Sequence, residues 1–501
     1  MVQDNLEIER KYDVGESTAV PPVEALTGLP GVVGVESPEP WTLHATYYDT
    51  PGLALATQGV TLRRRSGGED PGWTLKLPVG ESARQELTAP LGPEGEPVPE
   101  ELLQPVRVHV RREPVVPVVE LRTERRARRL VGPDHEVLAT VTDDQVTARP
   151  RTRGLRRSSW REWEVELGDG GRDGLLEAAE EVLVAAGATA SSSSSKLARA
   201  LGNRPAPLLH VPEPRRQDPA GHLLRYAVHV HLTHLKEQDQ RLRRGLDDSV
   251  HQLRIAARRV RAALTSYREE LDGDLRRFVR DELRWLGREL GGARDAQVMR
   301  ERLDRHLEVL PPDLVRGPVR DRVRHELQEQ HAEGCAQAMQ ALDSGRYFAL
   351  LDHLDQLVAD LPGDGVAAEQ TAREAAAAAV ERERRRVRKA AKAVRRADAP
   401  PETDLALHEL RKATKRLRYA AESARPVTGK SMRRYAKAVK AVQDRLGEHQ
   451  DSVVARATLV ELSEQARRHG EDGFTYGVLH AGEREQAAPP RRLRQHARSL
   501  L

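Results

Sequence analysis

The chain has 501 residues, of which 32% are charged and 38% are hydrophobic. This length predicts two or three domains, and the apolar content excludes a chain that is disordered overall. With 81 Lys and Arg against 77 Asp and Glu the net charge is only +4, so any polyanion would have to be bound through local basic clusters.

Neither a membrane span nor a cysteine-based site is predicted. No run approaches the roughly 18 consecutive apolar residues of a transmembrane helix, and the chain starts without the apolar segment of a signal peptide. We therefore expect a cytoplasmic protein. The single Cys335 excludes an intrachain disulfide framework, a cysteine zinc site and a CxxC redox motif.

The first part of the chain has the composition of β strands. Short alternating or β-rich segments are separated by clusters of Gly, Pro, Asp and Ser. Helices are expected only at 21–29 and 173–186, where apolar residues recur at helical spacing. We predict an antiparallel sheet or barrel for residues 1–202.

Beyond residue 202 the amino-acid composition changes. Residues 203–221 are rich in Pro and follow neither period, which predicts a linker. Residues 222–501 consist of long segments rich in Ala, Leu, Arg and Glu with helical periodicity, which predicts an all-α bundle. The fold class is therefore α+β and multidomain.

The helical part repeats itself. HQLRIAARRVR at 251–261 is matched by HELRKATKRLR at 408–418, and LGGARDAQV at 290–298 is matched by LGEHQDSVV at 446–454. We interpret this as a duplicated helical unit, two half-bundles related by a pseudo-twofold arrangement, with residues 365–400 as a charged helical connector.

Whole faces of several predicted strands carry charge. Period-2 geometry places Glu7, Glu9 and Lys11 on one face of a strand. The segment EWEVEL at 162–167 directs three carboxylates to one side and Trp, Val and Leu to the other.

Two interpretations of these faces are open. Any single strand is explained by a solvated face with cross-strand pairs. Several strands with segregated charge instead favour the inside of a closed barrel. There, carboxylates would hold Mg2+ or Mn2+, and Arg and Lys rows would hold the phosphate oxygens that the cation bridges.

The order of the motifs resembles the CYTH domain, the triphosphate tunnel metalloenzymes. ExExK at 7–11 is the signature. It is followed by YYDT at 47–50, LRRR at 62–65, TLK at 74–76, RQE at 84–86, LRTERR at 121–126, EWEVEL at 162–167 and SSK at 194–196.

This resemblance implies a tunnel of eight antiparallel strands that hydrolyses or otherwise transforms triphosphates with Mg2+ or Mn2+. The implied catalytic residues are Lys11, Glu7, Glu9 and Glu164. The implied substrate-binding residues are Arg63, Arg65, Lys76, Arg84, Arg122, Arg125 and Lys196. The implied metal ligands are Glu7, Glu9, Asp143, Asp144, Glu162, Glu164 and Glu166.

Two positions stay open at this point: Asp143 or Asp144, and Arg122 beside Arg125. We assign to Lys11 the role of polarising the terminal phosphoryl group. This role fits phosphoryl transfer, which needs positioning and charge neutralisation more than covalent help.

Basic residues also form stripes on two predicted helices. At about 100° per residue, His251, Arg254, Arg258 and Arg261 fall within an arc of about 80°. His408, Arg411, Lys415 and Arg418 repeat the stripe. One such helix could be a solvated face, but two matched copies with almost no acidic partners favour an anion-binding surface.

Nucleic acid and a histidine metal site are the rival interpretations. Only 3% of the residues are aromatic, and no stacking residues interleave the basic rows, which disfavours nucleic acid. Neighbouring cations would repel a divalent metal. The run at 382–396 is expected to be a solvated helix, with direct polyphosphate contact as the minority interpretation.

The repeats resemble the CHAD domain, a helical family that binds inorganic polyphosphate. The resemblance implies these polyphosphate-binding residues: His251, Arg254, Arg258, Arg261, Arg284, Arg288, His408, Arg411, Lys412, Lys415, Arg418, Lys437 and Lys440. Asp295 and Asp451 are expected to be packing or capping partners.

The expected function is a metal-dependent triphosphatase acting on inorganic triphosphate or short polyphosphate, joined to a polyphosphate-binding module. The alternatives are a non-catalytic protein associated with polyphosphate granules, and adenylate cyclase or thiamine triphosphatase activity in the tunnel.

Overall fold

The chain forms two compact units, Met1–His210 and Val211–Leu501. The computed structural model describes residues 3–79, 83–93, 95–151, 154–171, 174–202, 204, 209–268, 273–361, 370–397, 400–486 and 490–499. Parts of the predicted linker (203 and 205–208) and of the predicted connector (365–369, 398 and 399) lie outside the described residues.

Ten described strands build the first unit. They are β1 Gln3–Val14, β2 Gly34–Glu36, β3 Trp41–Asp49, β4 Thr61–Ser66, β5 Gly72–Val79, β6 Ala83–Ala89, β7 Val116–Val131, β8 Val137–Pro150, β9 Ser158–Leu167 and β10 Thr189–Ala190. All pairings are antiparallel, in the order β1-β6-β5-β4-β3-β7-β8-β9, and β9 pairs back with β1. This closed barrel confirms the predicted eight-stranded tunnel; β2 and β10 are additions at its rim.

Small helices pack around the barrel. They are α1 Val23–Thr27, α2 Ala54–Thr57, α3 Glu100–Leu103, α4 Arg107–Val110, α5 Leu175–Ala185 and α6 Lys196–Leu201. Helices α1 and α5 confirm the two helices expected from periodicity.

The apolar core of this unit lies between the strands and these helices. Trp163 and Val165 of β9 are fully buried and belong to one cluster with Ala179 and Leu183 of α5. Because neighbouring residues of a strand point to opposite faces, the carboxylates between these apolar residues face the barrel interior.

The second unit is helical, as predicted. Its described helices are α7 Ala220–Arg243, α8 Ser249–Ser266, α9 Gly273–Glu289, α10 Gly291–Val309, α11 Val319–Leu342, α12 Gly345–Asp360, α13 Ala372–Arg396, α14 Pro400–Ser423, α15 Arg425–Thr428, α16 Lys430–Arg468, α17 Phe474–Gln486 and α18 Pro490–Arg498. None of the helices in the described part of the chain combines the length and the apolar character that a membrane crossing requires.

Helix α13 corrects the prediction of a charged connector. It packs against α14 and α7, and Val387, Ala391 and Val394 are buried on one face. These apolar residues recur at helical spacing between the arginines, so the segment is a member of the bundle rather than a link between half-bundles.

Candidate functional site

The barrel encloses a cavity of about 640 Å³ whose wall is charged. Eleven of the predicted site residues line it: Glu7, Glu9, Lys11, Arg63, Arg65, Lys76, Arg84, Arg125, Glu164, Glu166 and Lys196. They come from six strands and from α6, so closure of the barrel brings together residues that are up to 189 positions apart in the sequence (196 − 7).

Lys196 lies in the middle of a buried acidic cluster. Its ammonium is 2.9 Å from Asp144, 2.8 Å from Glu162 and 2.7 Å from Glu164. Arg125 closes the cluster with two bonds to Asp144, at 2.8 and 2.6 Å, and one to Glu164 at 2.9 Å.

These cations keep the acidic cluster ionised. Burial alone would raise the pKa of Glu164, but Lys11, Lys196 and Arg125 hold it well below its ordinary value. Burial alone would lower the pKa of Lys196, and the three carboxylates raise it well above its ordinary value instead. The cluster is therefore a set of opposite charges that stabilise one another in a buried site.

A second acidic group has less compensation. Lys76 pairs with Glu7, and Lys11 lies 2.6 Å from Glu9. Burial, followed by the negative charges of Glu7 and Glu9, raises the pKa of Glu166 to about 7, although Lys76 opposes the shift. This part of the cavity carries an excess of negative charge.

Both acidic groups have the chemistry of a site for a hard divalent cation. Their donors are carboxylate oxygens alone, which Mg2+ and Mn2+ prefer. Ligand atoms of Asp144, Glu162 and Glu164 lie within 4.8 Å of one another, and the raised pKa of Glu166 indicates that added positive charge would be favourable. The residues present thus fit such an ion.

Arginines dominate another part of the cavity wall. Arg65 donates to the carbonyl oxygen of Asp70 at 2.8 and 3.2 Å, and Arg84 donates to two other backbone carbonyls. Burial, with the fields of Arg63 and Arg125, lowers the pKa of Arg65 to about 10. Excess positive charge of this kind suits phosphate oxygens.

Two predicted residues lie outside the tunnel, which corrects their assignment. Asp143 bonds to Arg161 at 2.7 and 2.9 Å on the outer face, whereas Asp144 is fully buried inside. Arg122 pairs with Glu124 at 2.7 Å, with both side chains half exposed. Because the side chains of a strand alternate, residues an odd number of positions apart, such as Asp143 and Asp144 or Arg122 and Arg125, face opposite sides of the sheet.

Glu162 lies behind the cavity wall. It is 3% exposed and reaches Lys196 and, at 3.7 Å, Arg199. Among the wall residues missing from the predicted set is Glu86, which lies 3.8 Å from Arg63 and 3.9 Å from Lys76. The alternation of Arg84 and Glu86 in ARQEL is the signal that points to it.

In the helical unit, α8 and α14 pack together and bring the two basic stripes into one cluster. Its members are His251, Arg254, Arg258, Arg261, His408, Arg411, Lys415 and Arg418, all half-buried. Burial, together with Arg411 and Arg258, lowers the pKa of Lys415 to about 7. We call these eight residues the α8/α14 cluster.

The two repeats anchor this cluster in matching ways. Arg254 lies 3.0 Å from Asp295, and Arg411 lies 4.0 Å from Asp451. The aspartates thus hold arginines of the cluster, in keeping with their expected role as packing partners. His408 bonds to Gln450 at 2.8 Å.

The remaining predicted polyphosphate residues are exposed: Arg284, Arg288, Lys412, Lys437 and Lys440. Three of them pair with acidic neighbours on the same helix, namely Arg284 with Asp281, Lys412 with Glu409 and Lys440 with Asp444. Arg284 also acts on the α8/α14 cluster, since its charge helps to lower the pKa of Arg261 after the effect of burial.

Known proteins resemble this chain over all or part of its length. Uncharacterized proteins from two strains of Mycobacterium tuberculosis, CDC 1551 and H37Rv, are each 41% identical over 499 residues, covering 96% of this chain and 94% of the relative. PptA from Streptomyces chartreusis is 23% identical, with a TM-score of 0.47 over 56% of this chain and 99% of that chain. The CHAD domain of the plant Ricinus communis is 24% identical, with a TM-score of 0.45 over 58% of this chain and 96% of that chain.

Family models match the two halves in turn. The CYTH domain model matches residues 5–201, and the CHAD domain model matches residues 226–460. Together with the relatives that match over nearly the whole length, this shows that the chain belongs to the CYTH and CHAD families, with a CYTH domain followed by a CHAD domain.

Proposed function

We propose that the chain is a metal-dependent triphosphatase that hydrolyses inorganic triphosphate or short polyphosphate, and that its helical unit binds polyphosphate. One observation carries the enzymatic part: carboxylates and cations line the same cavity of about 640 Å³ inside a closed barrel. A site that only bound anions would gain nothing from acidic residues facing its ligand. A phosphate chain bridged by a cation needs both kinds of side chain.

Mg2+ or Mn2+ is the proposed cofactor. Two groups of carboxylates would hold it: Asp144, Glu162 and Glu164 form the first, and Glu7, Glu9 and Glu166 form the second. When bound, the ion would neutralise phosphate charge and lower the pKa of a coordinated water molecule.

The cationic side chains of the protein would bind and orient the phosphate groups. Lys11, placed between Glu9 and Glu164, would polarise the terminal phosphoryl group. The arginine-rich wall with Arg63, Arg65 and Arg84 would bind the other phosphate oxygens and hold the chain in line. Such preorganised charge stabilises the transition state of phosphoryl transfer without a covalent intermediate.

The helical unit supports the same substrate class. The α8/α14 cluster gathers eight basic side chains. Burial, followed by the charges of Arg411 and Arg258, lowers the pKa of Lys415 to about 7, so the cluster concentrates positive charge. A linear polyphosphate would neutralise it. Covalent linkage of this unit to the barrel would raise the local concentration of phosphate chains near the catalytic cavity.

The test is phosphate release by the full chain from inorganic triphosphate, ATP and thiamine triphosphate, each with Mg2+, with Mn2+ and with a chelator. We expect metal-dependent release that is fastest with inorganic triphosphate. Faster turnover of ATP or thiamine triphosphate would assign the alternative activities. Tight triphosphate binding without turnover would leave only a binding protein and would overturn the enzymatic proposal.

A further inference from the structure

One face of α13 is a line of exposed cations that the α8/α14 cluster does not include. Arg385, Lys389, Lys392 and Arg396 are all exposed. Their spacing of four, three and four residues places them within an arc of about 60° on the helix. With a rise of about 1.5 Å per residue, the line is about 16 Å long. The opposite face, with Val387, Ala391 and Val394, is buried.

The charge of this line has little compensation. From 384 to 396 the sequence RRRVRKAAKAVRR has eight cations and no acidic residue. Among the residues that the structure describes, Lys389, Lys392 and Arg396 have no ion pair within 4.0 Å. Arg385 lies 3.9 Å from Glu381, a carboxylate that Arg384 and Arg388 also share. Adjacent like charges on a helix are unfavourable unless a polyanion neutralises them.

Helix α18, which packs against α13, carries further exposed cations. It packs against α13, α14 and α16 through Leu493 and Ala497, which are buried. Arg492 and Arg498 are exposed, and neither has an ion pair within the described part of the chain. We call the exposed cations of α13 and α18 the α13/α18 face.

The helices that carry the α13/α18 face pack against a helix of the α8/α14 cluster. Helix α14 packs against α8, and it also packs against α13 and α18. A polyanion held by the α8/α14 cluster is therefore presented to the α13/α18 face at high local concentration, provided that its chain is long enough to cross between them.

We propose that the α13/α18 face is a second binding surface for the linear polyphosphate chain held by the α8/α14 cluster, which makes affinity depend on chain length. This inference rests on the proposed function of the helical unit. It differs from that function in its location, since the four cations of α13 do not belong to the α8/α14 cluster and α18 lies beyond the residues that match the CHAD domain model.

The chemistry of the face fits a bare phosphate chain better than a nucleic acid. Between 384 and 396 the residues other than the cations are only Ala and Val, so this line has no aromatic side chain to stack on bases and no Asn or Gln to read base edges. A straight line of cations instead follows a flexible chain that carries charge at every unit.

The test compares the full-length wild-type chain with the triple variant Lys389→Ala, Lys392→Ala and Arg396→Ala. Alanine suits exposed helix positions, so the fold is retained. Affinity for long-chain inorganic polyphosphate should fall roughly 10-fold or more at about 0.15 M salt, and the slope of log affinity against log salt should decrease by about 2. Hydrolysis and binding of inorganic triphosphate should not change.

A matched control removes three charges elsewhere. Arg324, Arg467 and Arg468 are exposed on α11 and α16, and their joint replacement by alanine should leave the affinity for long chains close to that of the wild type. Arg258→Ala, within the α8/α14 cluster, should weaken the binding of short and long polyphosphate alike.

The outcomes separate this inference from the proposed function. If the wild-type chain binds no long-chain polyphosphate, both fail. If the wild type binds it and the triple variant binds as tightly as the control, only the inference about the α13/α18 face is overturned. The same holds if the triple variant loses affinity for duplex DNA, at matched salt, but not for polyphosphate.

Discussion

Lys11 of β1 and Glu164 of β9 are register partners where the barrel closes, and their side chains form an ion pair inside it. The closing pair of strands therefore places a cation and a carboxylate together at the wall of the cavity. Each side chain has a further partner of opposite charge, Glu9 for Lys11 and Lys196 for Glu164. The fold and the candidate site consequently depend on the same strand pairing.

Lys196→Met should destabilise the barrel. It removes the ammonium that contacts three buried carboxylates, and breaking a buried ion pair typically costs roughly 3–5 kcal/mol. We expect the variant at pH 7, without divalent cations, to unfold at a temperature well below the unfolding temperature of the wild type. Added Mn2+ should raise the unfolding temperature more in the variant than in the wild type, because the Lys196 ammonium no longer neutralises the carboxylates.

The exposed Lys437→Met is the control for this change and should unfold like the wild type. Lowering the pH should also reduce the difference, since protonation of the carboxylates removes their uncompensated charge. Equal unfolding temperatures for Lys196→Met and the wild type at pH 7 would show that the acidic cluster does not depend on this lysine.

Arg125→Ala and Arg122→Ala should differ although the residues are three positions apart. Arg125 bonds to Asp144 and Glu164 at the cavity wall, whereas Arg122 pairs with Glu124 outside, a contact worth at most about 1 kcal/mol. We expect kcat/KM for triphosphate to fall roughly 100-fold in Arg125→Ala and to stay at the wild-type value in Arg122→Ala. Equal losses would contradict the inward and outward assignment.

Polyphosphate binding should weaken as the pH rises through about 7. In the free chain Lys415 has a pKa of about 7, because burial and the neighbouring arginines disfavour its charged form. A bound polyanion favours the charged form, so binding takes up a proton once the free lysine is neutral. Titration calorimetry in buffers of different ionisation enthalpy measures this uptake.

Lys415→Arg separates this effect from a general effect of pH. Arginine keeps its charge throughout this range, so the variant should bind polyphosphate with an affinity that changes less between pH 6 and 8. A variant with the same pH profile as the wild type would contradict the role of Lys415.

Strand alternation and motif order were sufficient to predict the barrel and most of its charged wall. The row of Glu162, Glu164 and Glu166 could be oriented because Trp163 and Val165 between them required an apolar environment. The choice between Asp143 and Asp144 could not be made, because it depends on how β8 pairs with β7 and β9. The register that places Asp144 opposite Arg125 and Glu162 is a property of the closed barrel, and a shift of one residue would reverse it.

In the helical unit, the duplicated motifs predicted which residues would be basic, but not which helix faces would meet. The sequence of α13 was interpreted as a connector because its apolar stripe, which includes Val387 and Ala391, is interspersed with many arginines. Whether such a stripe is buried depends on the partner helix, here α14, which local sequence does not identify.

The most direct test of metal-dependent triphosphate hydrolysis in the barrel is phosphate release from inorganic triphosphate with Mn2+ by Glu164→Gln, beside the wild type and Glu124→Gln. Glu164 is buried among Lys11, Lys196 and Arg125, whereas Glu124 is half exposed on the outer face. We predict that Glu164→Gln lowers kcat by at least about 100-fold and that Glu124→Gln has wild-type activity. Wild-type rates in Glu164→Gln would contradict the assignment of the buried carboxylates to catalysis.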